Sequence, residues 1–352
     1  MNLCGVCGKK KLVAKSIGAC VDCIRENKNG VIEKILEFHG ITRDEFDLPR
    51  KVPNLENGIK CKICANECVI SEGERGYCGL RVNFNGKILH LAGTSESGLL
   101  DWYFDPLPTN CVAEWVCEGS KQLGKKNLAV FYRSCSFNCL FCQNWHFRET
   151  NIERAKKISA EELANVVDDK TFCVCYFGGD PSTQIIHAIK TSEIILKKSK
   201  DIRICWETNG NMNRKFLETA VKLSLESGGC IKFDLKAYDE KLNIALCGVS
   251  NCKVFDNFEF VCRFIDKRPE PPLVIASTLV IPGYIDAEEV YKIASFISQI
   301  NKDIPYSLLA FYPQFYLYDL PITSKKLMNE CVEAAISAGL RRIHVGNVHL
   351  LT

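Results

Sequence analysis

No stretch of this chain approaches the eighteen or more uninterrupted apolar residues that a bilayer-spanning helix needs, which excludes a helical membrane protein. No long block of one charge sign occurs either. Forty-five Lys and Arg stand against 42 Asp and Glu, spread over both halves for a net charge of +3, which argues against a dedicated polyanion-binding tail. Residues 1–17 show no signal peptide, so the expected compartment is a reducing cytoplasm. What the chain does have is cysteine: 21 in 352 residues. A chain two to three times the usual domain size does not need disulfide staples, so these thiols are expected to hold metal.

Thirteen of the 21 cysteines precede Gln143, and eleven of those fall into three spaced groups. Cys4, Cys7, Cys20 and Cys23 form two C-x-x-C pairs twelve residues apart. A two-residue gap lets both thiolates reach one metal at about 2.3 Å, so this is a zinc-ribbon pattern with a closed four-thiolate structural ion. Residues 29–40 then carry Val31, Ile32, Ile35, Leu36 and Phe38 at helical spacing, and Pro49, Pro53 and 54–58 read as a linker, with a boundary near residue 55. Cys61, Cys64, Cys68 and Cys78 follow, spaced two, three and nine. A closed zinc site and a four-iron cluster both fit that spacing, and both readings stand. Cys111 and Cys117 lie in the aperiodic segment 106–120; they read as packing thiols, with a redox pair or an extra ligand as the alternative.

The third group, Cys135, Cys139 and Cys142, has three thiols and no evident fourth partner. A closed structural site would use four protein ligands; three suit a four-iron cluster with one iron left open. The group follows the apolar run 128–132, which places it on the loop leaving a first strand, where barrel enzymes carry their chemistry. With Phe141 just before the third cysteine, the segment resembles the radical S-adenosylmethionine enzymes. Cys142-Gln-Asn-Trp145, Gly178-Gly-Asp-Pro181, Glu207-Thr-Asn-Gly210, Asp234-Leu-Lys236 and Gly248-Val-Ser-Asn251 bring it nearer the glycyl-radical-enzyme activases, in the archaeal pyruvate formate-lyase activase-like form. The resemblance covers about residues 60–352. It implies a reduced [4Fe-4S] cluster on the three cysteines that binds S-adenosylmethionine and cleaves it to a 5′-deoxyadenosyl radical, which abstracts hydrogen from a substrate.

Apolar runs at 128–132, 172–177, 202–206, 230–235, 273–280, 307–312 and 342–345 alternate with helical patterns at 160–167, 182–198, 214–226, 257–266, 287–300 and 324–338. Near-continuous apolar strands alternating with helices make a parallel sheet covered by helices. The expected fold is therefore α/β with an open barrel over 126–352, for which the resemblance implies the partial (β/α)6 form, preceded by a zinc-ribbon-like module with linker (1–55) and a second cysteine-rich module (56–125). The resemblance implies that Gly178 and Gly179 approach the methionine amino group; Asp180 stands where the family has Glu, and Glu207 where close relatives have Asp. Phe141, Asn209, Asp234 and Lys236 complete the expected cofactor residues. Lys232 shares a face with Asp234 and Lys236, so an ion pair among them is the plain alternative. Tyr312, Gln314, Tyr316, Tyr318, His344, Asn347 and His349 could line the open rim.

The partners expected are a protein or peptide substrate, admitted through a laterally open barrel, and a one-electron reductant such as a ferredoxin or flavodoxin. No D-x-H-x-x-G signature or Gly-rich cobalamin module precedes the barrel, which weighs against a cobalamin-dependent methyltransferase. A methyltransferase using another site, a small-molecule enzyme, a multi-cluster electron carrier and a zinc-ribbon nucleic-acid binder are the competing readings. The last needs a basic face, and Lys9, Lys10, Lys11, Lys15, Arg25 and Lys28 supply only a small one.

Overall fold

The computed structural model describes residues 2–109 and 111–352. Eight strands form the main sheet, in the order Ile343–Gly346, Tyr306–Ala310, Val274–Val280, Ile231–Asp234, Arg203–Thr208, Thr171–Gly178, Lys126–Tyr132 and Leu100–Pro106. The first seven of these pair in parallel with their neighbours in sequence, so each strand is laid beside the one before it after a helical crossover. The expected α/β partial barrel is what forms.

Strand chemistry explains the layering. In Thr171–Gly178, Val174 and Tyr176 point to the helices and are fully buried, while Cys173, Cys175 and Phe177 point into the barrel. On the helix side, Ala287–Ile300 buries Val290, Ile293, Ala294 and Ile297, one stripe at three- and four-residue spacing. Burying each large side chain of that stripe contributes roughly 1.5–3 kcal/mol. Asp286 caps the helix by accepting from the Glu289 amide at 3.0 Å.

The eighth strand was not legible in the apolar pattern. Leu100–Pro106 pairs antiparallel with Lys126–Tyr132 across seven residues and exposes Trp102 and Tyr103, so it reads polar-and-aromatic rather than apolar. The two sheet edges are instead bridged by the segment that follows. Trp115 donates from Nε1 to Ser307 Oγ at 3.1 Å and stacks on His344 with ring centroids 5.1 Å apart, while Ser307 Oγ donates to the Val112 carbonyl at 3.1 Å.

The amino-terminal segments share the barrel's core. Ala14, Ile17, Ile24, Val31 and Ile35 belong to the same apolar cluster as the sheet. The helix Val31–Asp44 runs one turn past Gly40, whose missing side chain leaves room for Arg50. The ribbon is fastened by Arg25, which reaches the fully buried Glu289 at 2.6 Å, and by the Ala14 amide, which donates to Tyr284 Oη at 3.0 Å. No helix among the described residues is long and apolar enough to cross a membrane.

Candidate active site

The loop carrying Cys135, Cys139 and Cys142 leaves the carboxyl end of Lys126–Tyr132 and is anchored by the buried side chains of Phe137, Leu140 and Phe141. Its backbone is seated on the last turn of the helix Glu240–Cys247: the Asn138 amide donates to the Cys247 carbonyl at 2.8 Å, and the Leu140 amide to that of Leu246 at 2.9 Å. Beneath it, Asn138 Nδ2 donates to Thr42 Oγ1 at 3.0 Å and to His39 Nδ1 at 2.9 Å, and Arg148 donates to Asn138 Oδ1. His39 Nε2 lies 3.1 Å from the Ala245 carbonyl, so the ring carries its proton there and is neutral. Burial, with Arg148 and Arg43 nearby, lowers its pKa to about 4.

The three thiols line one cavity of about 210 Å³ together with Phe141, Gly178, Gly179, Asp180, Glu207, Asn209, Asp234, Lys236 and Asn347. All eight of the expected cofactor residues are thus gathered on this wall with the three cysteines. Their environments differ. Asn209 Nδ2 lies 3.6 Å from Cys135 Sγ and 3.1 Å from Ser136 Oγ. Lys236 pairs with Asp234 and lies over the Phe141 ring, 5.5 Å from its centre, while Asp234 Oδ1 is buried without a partner among the described residues. A buried acceptor left open beside three thiols fits a site built for a larger guest.

Asp180 is committed elsewhere. Its Oδ1 accepts from the Ser182 amide at 2.8 Å and from the Ser182 hydroxyl, and its Oδ2 accepts from Thr208 Oγ1 at 2.9 Å and the Asn209 amide at 2.7 Å. Burial raises its pKa against these donors. The carboxylate therefore ties two strand ends together. The glycines before it also have a packing reason. A β-carbon on Gly179 would run into the Ser134 carbonyl, and Gly178, at φ +111°, lies against the backbone of Tyr132. Lys232 does not join Asp234 and Lys236; it turns to Glu207, at 3.2 Å.

Cys247 is a residue the sequence did not offer. Its neighbouring thiol, aided by Lys236 and opposed by burial, lowers the Cys139 pKa. Only the position of Cys247 beside the Gly248-Val-Ser-Asn251 segment could have pointed to it.

The other cysteine groups differ from one another. The ligand atoms of Cys4, Cys7, Cys20 and Cys23 all lie within 4.8 Å of one another, the geometry of a single ion. Cys4 and Cys23, like Cys7 and Cys20, have their sulfurs 3.9 Å apart. The thiols of Cys61, Cys64, Cys68 and Cys78 make no such group among the described residues. Cys61, Cys64 and Cys68 are buried, and burial pushes the Cys68 pKa up to about 12, whereas Cys78 faces a cavity of about 940 Å³ shared with Cys135 and Arg148. Of the small basic face, Lys11 pairs with Asp22 and Arg25 with Glu289. At the rim, Asn347 reaches the cavity, His344 is stacked on Trp115, and Tyr316 donates to Glu45 at 2.7 Å.

Residues 129–297 match the family model of the Radical SAM superfamily. This chain carries a radical SAM domain. The matched span of the radical SAM domain holds the three-cysteine loop and the strand ends facing it. An uncharacterised protein of Methanocaldococcus jannaschii is 24% identical over 322 residues, covering 83% of this chain and 82% of its own. A second protein of that organism, named as a glycyl-radical enzyme activating enzyme, is 30% identical over 182 residues, covering 50% of this chain and 64% of its own. Among solved structures, a domain of pyruvate-formate lyase-activating enzyme from Bacteroides vulgatus aligns at 17% identity with a TM-score of 0.40, covering 49% of this chain and 98% of that one.

Proposed function

We propose that this chain binds a [4Fe-4S] cluster on Cys135, Cys139 and Cys142, uses it to cleave S-adenosylmethionine, and removes hydrogen from a residue of a partner protein. When bound, the cluster and S-adenosylmethionine supply a one-electron cleavage that yields a 5′-deoxyadenosyl radical. The observation that carries this reading is the convergence of three thiols on one loop and the strand-end polar groups on one cavity, inside the segment matched to the radical SAM family. The loop's fixation by Asn138, Arg148 and the helix end holds the thiols in place before any guest arrives. Asn209 Nδ2 faces Cys135 at 3.6 Å, and Lys236 supplies positive charge beside Cys139, which favours the Cys139 thiolate. Asp234 Oδ1 and Asn347 are left to bind polar groups of S-adenosylmethionine.

A protein substrate is supported by the relative named as a glycyl-radical enzyme activating enzyme and by the larger cavity that reaches Cys135 and Arg148 from outside. We also assign a structural zinc to the ribbon cysteines.

The test is anaerobic reconstitution with iron and sulfide, then dithionite and S-adenosylmethionine. The wild type should release 5′-deoxyadenosine, and the Cys135→Ala/Cys139→Ala/Cys142→Ala variant should not; release by the variant overturns the ligand assignment. Added native extract should give a protein-centred glycyl radical by electron spin resonance. Release of S-adenosylhomocysteine with methylated peptides would replace hydrogen abstraction alone by methyl transfer.

A further inference from the structure

Six further cysteines meet inside the barrel, at the end away from the three-cysteine loop. Cys173 and Cys175 come from Thr171–Gly178, Cys205 from Arg203–Thr208, Cys230 from just before Ile231–Asp234, and Cys111 and Cys117 from the segment that bridges the sheet edges. They line a cavity of about 240 Å³ floored by Gly228, Gly229, Pro271 and Pro272. Lys232, 1% exposed, projects its ammonium into the group: Nζ lies 3.0 Å from Cys111 Sγ, 3.0 Å from Cys175 Sγ and 3.2 Å from Glu207 Oε2. Cys205 and Cys230 have their sulfurs 3.8 Å apart.

We propose that this cavity is a further metal site, one that binds an iron–sulfur cluster through Cys205 and Cys230 on one iron with Cys111 and Cys175 on the opposite side. The spacing argues for it. Two thiolates at about 2.3 Å from one tetrahedral metal stand about 3.8 Å apart, the separation of Cys205 and Cys230 and nearly that of the paired ribbon sulfurs. The remaining thiols do not close on the same point, since the ribbon alone, among the described residues, has its ligand atoms within 4.8 Å of one another. A single ion would leave most of these thiols idle, whereas a cluster spans them.

The charge argues the same way. A buried ammonium complements a metal centre held by thiolates, whose net charge is negative. Glu207 and Phe177 line both this cavity and the one at the three-cysteine loop, so the two sites share a wall.

The test starts from full-length Cys135→Ala/Cys139→Ala/Cys142→Ala protein, reconstituted anaerobically with iron and sulfide, so that the loop contributes no signal. Adding Cys205→Ser and Cys230→Ser should remove at least two iron and two sulfide per chain. Equal iron and sulfide with and without the serines overturns the proposal, as does one zinc or copper ion per chain bound here without sulfide. If the serine variants do not fold, iodoacetamide footprinting of reconstituted wild type decides: Cys111, Cys175, Cys205 and Cys230 should alkylate only after the iron is chelated. Equal labelling before and after chelation refutes the site.

Discussion

Gly179 lies against the backbone of Ser134, the residue before the first cysteine of the three-thiol loop, so a side chain at 179 would have to push that loop away. The Gly179 amide donates to the Tyr132 carbonyl at 2.7 Å and the Asp180 amide to that of Ser134 at 2.8 Å, so strand end and loop are one unit. Gly179→Val is therefore expected to cost about 1–3 kcal/mol of stability by overpacking and to lower iron retention at Cys135, Cys139 and Cys142. Iron analysis and the S-adenosylmethionine-responsive spin resonance signal check this. Full iron content with weakened S-adenosylmethionine binding would show instead that the glycine serves the ligand.

Asp180→Asn should destabilise the fold by about 1–3 kcal/mol, because one of the two oxygens that now accept from Ser182, Thr208 and the Asn209 amide becomes a donor facing donors. Urea denaturation of the two proteins measures it. Unchanged stability would mean that the strand ends are held without the carboxylate.

His39 makes stability fall with acid. Its folded pKa of about 4 lies below the ordinary 6.5, so as pH drops through 6.5 the unfolded chain binds a proton that the folded one refuses. Linkage puts the loss at about 2 kcal/mol between pH 7 and pH 5. His39→Gln should flatten that slope, compared by urea denaturation at the two pH values; parallel slopes for the two proteins would contradict it.

Removing metal from the ribbon should loosen its dock on the barrel. Cys20→Ser is expected to eliminate about one zinc per chain, measured by elemental analysis. Arg25→Ala leaves Glu289, fully buried and accepting from the Tyr238 and Asp239 amides at 2.6 and 2.8 Å, without its cation, at a cost of about 3–5 kcal/mol. Zinc should stay bound in that variant while proteolysis between the ribbon and the helix Val31–Asp44 quickens. Wild-type protease resistance would mean that the dock does not depend on this pair.

The barrel was legible because its strands are apolar on both faces, and its loop because three thiols at that spacing have few other uses. Leu100–Pro106 escaped notice because this edge strand exposes Asp101, Trp102 and Tyr103 in succession and brackets its aromatics with acids at 101 and 105, so it lacks the aliphatic pattern of the inner strands. Lys232 was misplaced for a geometric reason. Strand alternation put it on the face of Asp234 and Lys236, but the register sets Glu207 directly beside it on the neighbouring strand. The inward cysteines looked like scattered packing residues because Cys173, Cys205 and Cys230 are neighbours only once the strands are laid side by side. The same holds for His39, which meets Asn138 and the Ala245 carbonyl at separations of 99 and 206 residues.

The ribbon's attachment sets an order of assembly. Its contacts at Ala14 and Lys15 are made to Tyr284 and Asp319, at separations of 270 and 304 residues, so the ribbon finds its seat only when the strands and helices as far as Asp319 have been made. Closing so long a loop is slow. An amino-terminal piece that takes its metal early would wait as a small preformed unit while the strands are added, and a ribosome stalled before Tyr284 would hold a chain whose ribbon and core face are both uncovered.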